Sequence, residues 1–164
     1  MAGAEGHVFH GGGTPMSRYF YKFQDGKMYN GLMAVCYQLS DINPGDGGFA
    51  CIPGSHKANY PCPPEVLRLE VDLGCVRHVP TKAGSALIFT EALTHGTLPW
   101  RASHERRTLL YRYTPGLFSK VSMFSDYDSY AHELTPLQRA IMERYYTNCP
   151  STKALLEEEE KGRR

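Results

Sequence analysis

The segment GSALIFTEALTHGTLPWRASHERRTLLYRYTPG, residues 84–116, sets a histidine in a polar corner and opens an apolar run with two arginines eleven residues later. His95 follows the apolar stretch SALIFT and precedes Gly-Thr, so it falls near a strand end, where a rigid sheet aims a side chain into a cleft. Its ring can serve packing or bind a metal. Arg106 and Arg107 bear on that choice. With SALIFT and RTLLYRY as antiparallel neighbours, one arginine stands alongside His95 in the same cavity. The other faces solvent, since adjacent strand residues point to opposite faces. A guanidinium is planar and always charged, and aimed into a barrel it needs a carboxylate or phosphate to pair with. The chemistry in question is a metal with an anion held beside it.

Such a site needs a rigid scaffold, and the sequence from Tyr19 to Tyr113 supplies short β-type runs separated by turn residues. RYFYKF leads to the turn QDGK, GLMAVCYQL to SDINPGDGG, and FACIP to GSHKANYPCPP. LRLEVDL, CVRHVP, SALIFT and TLLYRYTP follow, with the loop GTLPWRASHE between the last two. Runs rich in Val, Ile, Tyr, Phe and Thr, punctuated by Asp-Gly, Pro-Gly and Gly-Gly, predict an all-β sandwich or barrel. Beyond Pro115, LTPLQRAIMERYY places Leu134, Leu137, Ile141 and Tyr145 at helical spacing, with Thr135 as N-cap before Pro136. One domain is expected over 1–150, including a helix over 133–147 that packs on the sheet, with a charged tail over 151–164.

Composition narrows the partners. Eighteen basic against 17 acidic side chains leave no net field to recruit nucleic acid or an anionic membrane. A small-molecule ligand is the expectation. No membrane span and no signal-peptide pattern stand in the sequence, so a cytoplasmic location is expected. The five cysteines are scattered without a C-x-x-C pair, and Cys36 and Cys51 in apolar runs read as buried thiols. In PGSHK, Pro53-Gly54 makes a tight bend, His56 and Lys57 brace it or line its rim, and Asp46 is a turn carboxylate. Tyr19, Tyr21, Tyr29 and Trp100 fit either an apolar mouth or core packing.

GDGGFACIPGSHK, HGTLPW and an arginine eleven residues after that histidine, in this order, resemble the phytanoyl-CoA dioxygenase family over about residues 7 to 116. These are iron(II)- and 2-oxoglutarate-dependent oxygenases. The resemblance implies a double-stranded β-helix, a cupin-like jelly-roll that holds iron through an H-x-D pair and a distal histidine. It places the distal ligand at His95 and the clasp for the far carboxylate of 2-oxoglutarate at Arg106. Thr97 matches a hydroxyl position on the same carboxylate, and Tyr37 an aromatic position beside the co-substrate. The implied activity is a dioxygenase hydroxylating a small organic substrate.

The H-x-D pair departs from this pattern. His10 fits its histidine better than His7, but two residues on stands Gly12 in place of aspartate. Three explanations stay open. Glu91, four residues before His95, shares its face if the strand stays regular and supplies the third ligand; otherwise it is a salt-bridge partner or substrate contact. Chloride fills the vacancy, as in the related iron halogenases. Or the chain is a non-catalytic jelly-roll binding module or an inactive fragment. Only nine residues precede His10, where the family has helices and early strands, so an N-terminally shortened jelly-roll is expected. Its exposed sheet edge would invite self-association.

Overall fold

The computed structural model describes residues 3–12, 19–115, 127–142 and 161. They fall into two compact units, Met1–Pro115 and Gly116–Arg164.

The described residues of the first unit form nine strands: β1 (His7–His10), β2 (Tyr21–Gln24), β3 (Lys27–Asn30), β4 (Met33–Gln38), β5 (Gly48–Cys51), β6 (Arg77–His78), β7 (Ala86–Thr90), β8 (His95–Leu98) and β9 (Thr108–Tyr113). One sheet has the order β1-β8-β5-β6 and another the order β7-β4-β9, while β2 and β3 form a separate hairpin. All pairings are antiparallel. In β4 the alternation is direct: Ala34, Cys36 and Gln38 are buried while Tyr37 is exposed, as a strand with one face on a core requires. Phe49 of β5 meets Phe89 of β7 with ring centroids 4.7 Å apart, and Phe89 meets His95 of β8 at 4.6 Å. These contacts join the inner faces of the two sheets, and the expected mainly-β jelly-roll is the fold observed. The outer face of β7-β4-β9 carries exposed Tyr37, Ile88, Leu109, Tyr111 and Tyr113.

The turns follow from their residues. Asp25 and Gly26 both have positive φ, 52° and 74°, and join β2 to β3 with Gln24 opposite Lys27. That is the two-residue hairpin geometry Asp-Gly favours. The run LRLEVDL, expected as a strand, is not one. Pro64 begins a short helix, α1 (Pro64–Leu67), that buries Val66, and the chain then turns through Leu69 at φ 58°. A proline preset for a first helical turn outweighs the β-type side chains after it. Conversely GTL, read as the start of a loop, belongs to strand β8 with His95.

β7 and β9 are not direct neighbours: both pair with β4, and His95 belongs to the other sheet. The expected side-by-side placement of His95 and Arg106 in one sheet is therefore replaced by placement on different sheets. The cause is the turn after Thr90, which carries the chain from β7 into the sheet of β8.

The second unit contains α2 (Tyr127–Tyr130), a 3-10 turn at Ala131–Glu133 and α3 (Pro136–Met142). Gln138 N donates to Thr135 Oγ1 at 3.3 Å, and Thr135 N donates to Gln138 Oε1 at 2.9 Å. This reciprocal cap starts the helix where Thr-Pro predicts it. The rest of the expected helix, 143–147, and nearly all of the tail lie outside the described residues. Among the described residues no helix is long and apolar enough to cross a membrane.

Candidate metal centre

Strands β1 and β8 put two histidines side by side. His10 and His95 are partners across the ladder, and their ring centroids are 4.3 Å apart. The register advances three residues on β1, from His7 to His10, against two on β8, from Thr97 to His95. This bulge opposes Val8 and Phe9 to Gly96. A Cβ on Gly96 would overlap the Phe9 ring and approach His7 O to 2.8 Å, so only glycine fits there.

Each imidazole is oriented by its own backbone. His95 Nδ1 donates to Leu93 O at 2.7 Å, and His10 Nδ1 to Val8 O at 3.3 Å. Because carbonyls only accept, Nδ1 carries the proton and Nε2 keeps a lone pair for a metal. Burial pushes the His95 pKa below the ordinary histidine value, which favours the neutral, ligating form.

Glu91 completes a set of three. Its Oε2 lies 3.8 Å from His95 Nε2, and the ligand atoms of His10, Glu91 and His95 all fall within 4.8 Å of one another. Glu91 and His95 are buried and His10 is exposed, so the cluster opens on the His10 side. The route by which Glu91 arrives differs from the expected one. The strand does not stay regular; β7 ends at Thr90, and Glu91 is the first residue of the turn, anchored by its N–H to Leu32 O at 3.0 Å. Glu91 also has the alternative role foreseen for it: its Oε1 stands 3.3 Å from Arg112 Nε, at ion-pair distance.

Gly12 takes no side chain in this backbone. Its φ is +83°, and a Cβ there would lie 2.6 Å from Thr94 Oγ1. The carboxylate beside the two histidines is that of Glu91.

The PGSHK turn braces this arrangement. Ser55 Oγ accepts the N–H of Thr94 at 2.7 Å, and Ile52 N donates to Thr94 O at 2.9 Å, one residue before His95. His56 stands edge-on to Tyr21 with ring centroids 4.6 Å apart. Asp46 Oδ2 accepts from Asn43 N at 2.7 Å within its turn.

The two arginines diverge as alternation requires. Arg107 is exposed and pairs with Glu105 at 2.7 Å. Arg106 is half-buried, and its Nε is buried without a hydrogen-bond partner. Burial presses its pKa downward, and among the described residues it forms no ion pair. Arg106 and Thr97 line one cleft of about 340 Å³ together with Thr108, Trp100 and Glu5. Cys36 is buried on the inner face of β4. Burial pushes its thiol pKa up, and the charges of Arg106, Glu91 and Arg112 all act on it. Tyr37 is not brought to this face. It lies on the outer side of β4 against Tyr111, with ring centroids 5.9 Å apart. Two inner-face residues escaped the sequence reading: Arg112 and Gln38. Each has the strand parity of a residue already singled out, Arg112 that of Arg106 and Gln38 that of Cys36, and period two alone would have found them.

The phytanoyl-CoA dioxygenase (PhyH) family matches residues 6–108, from the start of β1 to the start of β9. The chain belongs to this family. Among solved structures it resembles HygX from Streptomyces hygroscopicus with nickel and 2-oxoglutarate bound, at a TM-score of 0.60 and 26% identity over 70% of this chain and 52% of HygX. HygX with nickel, 2-oxoglutarate and hygromycin B bound is similar at 0.58 and 27%, over 67% of this chain and 50% of HygX. AviO1 from Streptomyces viridochromogenes Tue57 shares the PhyH-like fold at 0.51 and 20% identity, over 68% of this chain and 44% of AviO1. The chain spans about half the length of HygX. No curated protein matches the sequence.

Proposed function

We propose that this chain is the metal-binding part of an iron(II)- and 2-oxoglutarate-dependent oxygenase that hydroxylates a small organic molecule. The observation that carries the reading is the cluster of His10, Glu91 and His95, with ligand atoms within 4.8 Å of one another, in a fold whose inner face also presents Arg106 with its Nε buried and unpartnered. Two imidazoles and one carboxylate are the donor set that suits a non-haem iron site with open coordination positions. The residues present therefore fit the metal, and the orphaned Arg106 Nε fits an anionic co-substrate. HygX, with nickel and 2-oxoglutarate bound, supports the same pairing here.

Iron with 2-oxoglutarate and dioxygen supplies the oxidising power to insert an oxygen atom into a C–H bond as the oxoacid loses carbon dioxide to give succinate. The chain's own residues bind and orient. His10, Glu91 and His95 hold the metal; Arg106, with the Thr97 hydroxyl, holds the distal carboxylate of the oxoacid. Arg112 fixes Glu91. Phe49 and Phe89, packed on His95, keep water from the buried side of the centre. HygX with hygromycin B bound supports a small organic molecule as the substrate class. Glu91 favours the hydroxylase over the chloride-binding reading, because its carboxylate already stands beside both histidines.

The test is anaerobic titration with iron(II) and 2-oxoglutarate, which is expected to develop the weak visible metal-to-ligand charge-transfer band. Well-folded protein that gives no band would overturn the oxygenase reading and leave a non-catalytic jelly-roll.

A further inference from the structure

Gln38 is 1% exposed and lies on the inner face of β4, directly opposite Thr108 of β9. Thr108 Oγ1 donates to Gln38 Oε1 at 2.9 Å, which turns the amide so that its oxygen is satisfied. Gln38 Nε2 is then left buried with no partner. A buried amide that serves packing alone satisfies both ends, since an unmade hydrogen bond in a dry interior destabilises the fold.

A residue just beyond the ladder has the same deficit. Arg106 enters the inner face two residues before Thr108, and its Nε is also buried without a partner. Two donors lacking acceptors, one of them cationic, thus flank Thr108: Arg106 lines the cleft together with Thr97 and Thr108, and Gln38 sits behind Thr108, joined to it by their hydrogen bond. The Thr108 hydroxyl already donates to Gln38, so it is engaged as a clamp and not as a ligand. A carboxylate has lone pairs enough for both donors at once.

We propose that Gln38 Nε2 donates to the distal carboxylate of the 2-oxoacid that Arg106 binds, with Thr108 holding the amide in register, and that it thereby selects a dicarboxylic co-substrate. This rests on the co-substrate reading given above. Its test separates the two.

The probes are 2-oxoglutarate and 2-oxobutyrate, which keeps the oxoacid end and lacks the distal carboxylate. Each is titrated calorimetrically and anaerobically into nickel-loaded wild-type protein, Gln38→Met and Gln38→Glu. Methionine keeps the volume without the N–H groups; glutamate keeps the acceptor for Thr108 and removes the donor. If one variant fails to fold, the other carries the test. Nickel affinity is expected to be unchanged in both. Gln38→Met is expected to weaken 2-oxoglutarate about tenfold, the effect of losing one hydrogen bond to a charged group, and to leave 2-oxobutyrate within about twofold. Gln38→Glu weakens 2-oxoglutarate further, by setting carboxylate against carboxylate. Equal losses for the two oxoacids, or no loss for either, would overturn the role of Gln38 alone. Wild-type protein that binds nickel but not 2-oxoglutarate would overturn the co-substrate reading and the Gln38 proposal with it.

Discussion

Glu91 and Arg112 form an ion pair at 3.3 Å in which the carboxylate is buried and the guanidinium is half in solvent. The carboxylate is thereby divided: Oε1 faces Arg112, and Oε2 faces His95 at 3.8 Å. An arginine held at one oxygen leaves the other oxygen for a metal.

Replacing Glu91 by Ala removes one of three ligands and is expected to weaken iron(II) or nickel(II) by more than about 100-fold, beyond the usual effect of an outer-shell change. Calorimetric titration of the metal measures this. Unchanged affinity would take Glu91 out of the site and leave it as the ion-pair partner of Arg112.

Arg112→Gln keeps much of the side chain and removes the charge. Its expected effect is a loss of metal affinity of about 10-fold to 100-fold, with 2-oxobutyrate binding to the metal-loaded protein preserved. Arg112→Lys should recover part of the loss. A variant indistinguishable from wild type would show that Glu91 is positioned by its backbone anchor to Leu32 alone.

Arg106→Ala and Arg107→Ala separate the inner arginine from the outer one. The first is expected to weaken 2-oxoglutarate by about 2–5 kcal/mol, the range for truncating one partner of a buried charge pair. The second removes a surface pair to Glu105 and should change affinity by less than about 1 kcal/mol. Equal effects would mean that the two side chains do not divide between interior and solvent in solution.

Gly12→Asp restores the letter of the H-x-D pattern and is not expected to restore its chemistry. The position has φ +83°, and its Cβ would press on Thr94 Oγ1. The variant should lose about 1–3 kcal/mol of stability, seen as a lower unfolding midpoint. In the Glu91→Ala background it should not recover metal binding; recovery would show that this backbone relaxes to the family's usual ligand geometry.

What the sequence disclosed depended on how local the cause was. The Asp-Gly turn and the Thr-Pro helix start are set by neighbouring residues, and both were legible. So was the divergence of Arg106 from Arg107, which needs only the period of a strand. LRLEVDL was misread because its propensity is β while a proline pair upstream begins a helix. The position of Glu91 was legible as a residue and not as a geometry. Its spacing from His95 suggested one strand, but a turn between two sheets brings them together. Arg112 and Gln38 matter through partners far along the chain, Glu91 in a turn and Thr108 on β9, and no pattern within their own segments reveals those pairings.

Gly96 stands between His95 and Thr97 and contributes only the space that the Phe9 ring fills. That contact lies one residue from His10 on β1 and one from His95 on β8. The gap between the two imidazoles is thus gauged by a hydrocarbon ring seated on a bare backbone. With the metal held as proposed, the ionic radius that the histidine pair accepts would be a property of core packing as much as of ligand identity, and a change at Phe9 would retune it.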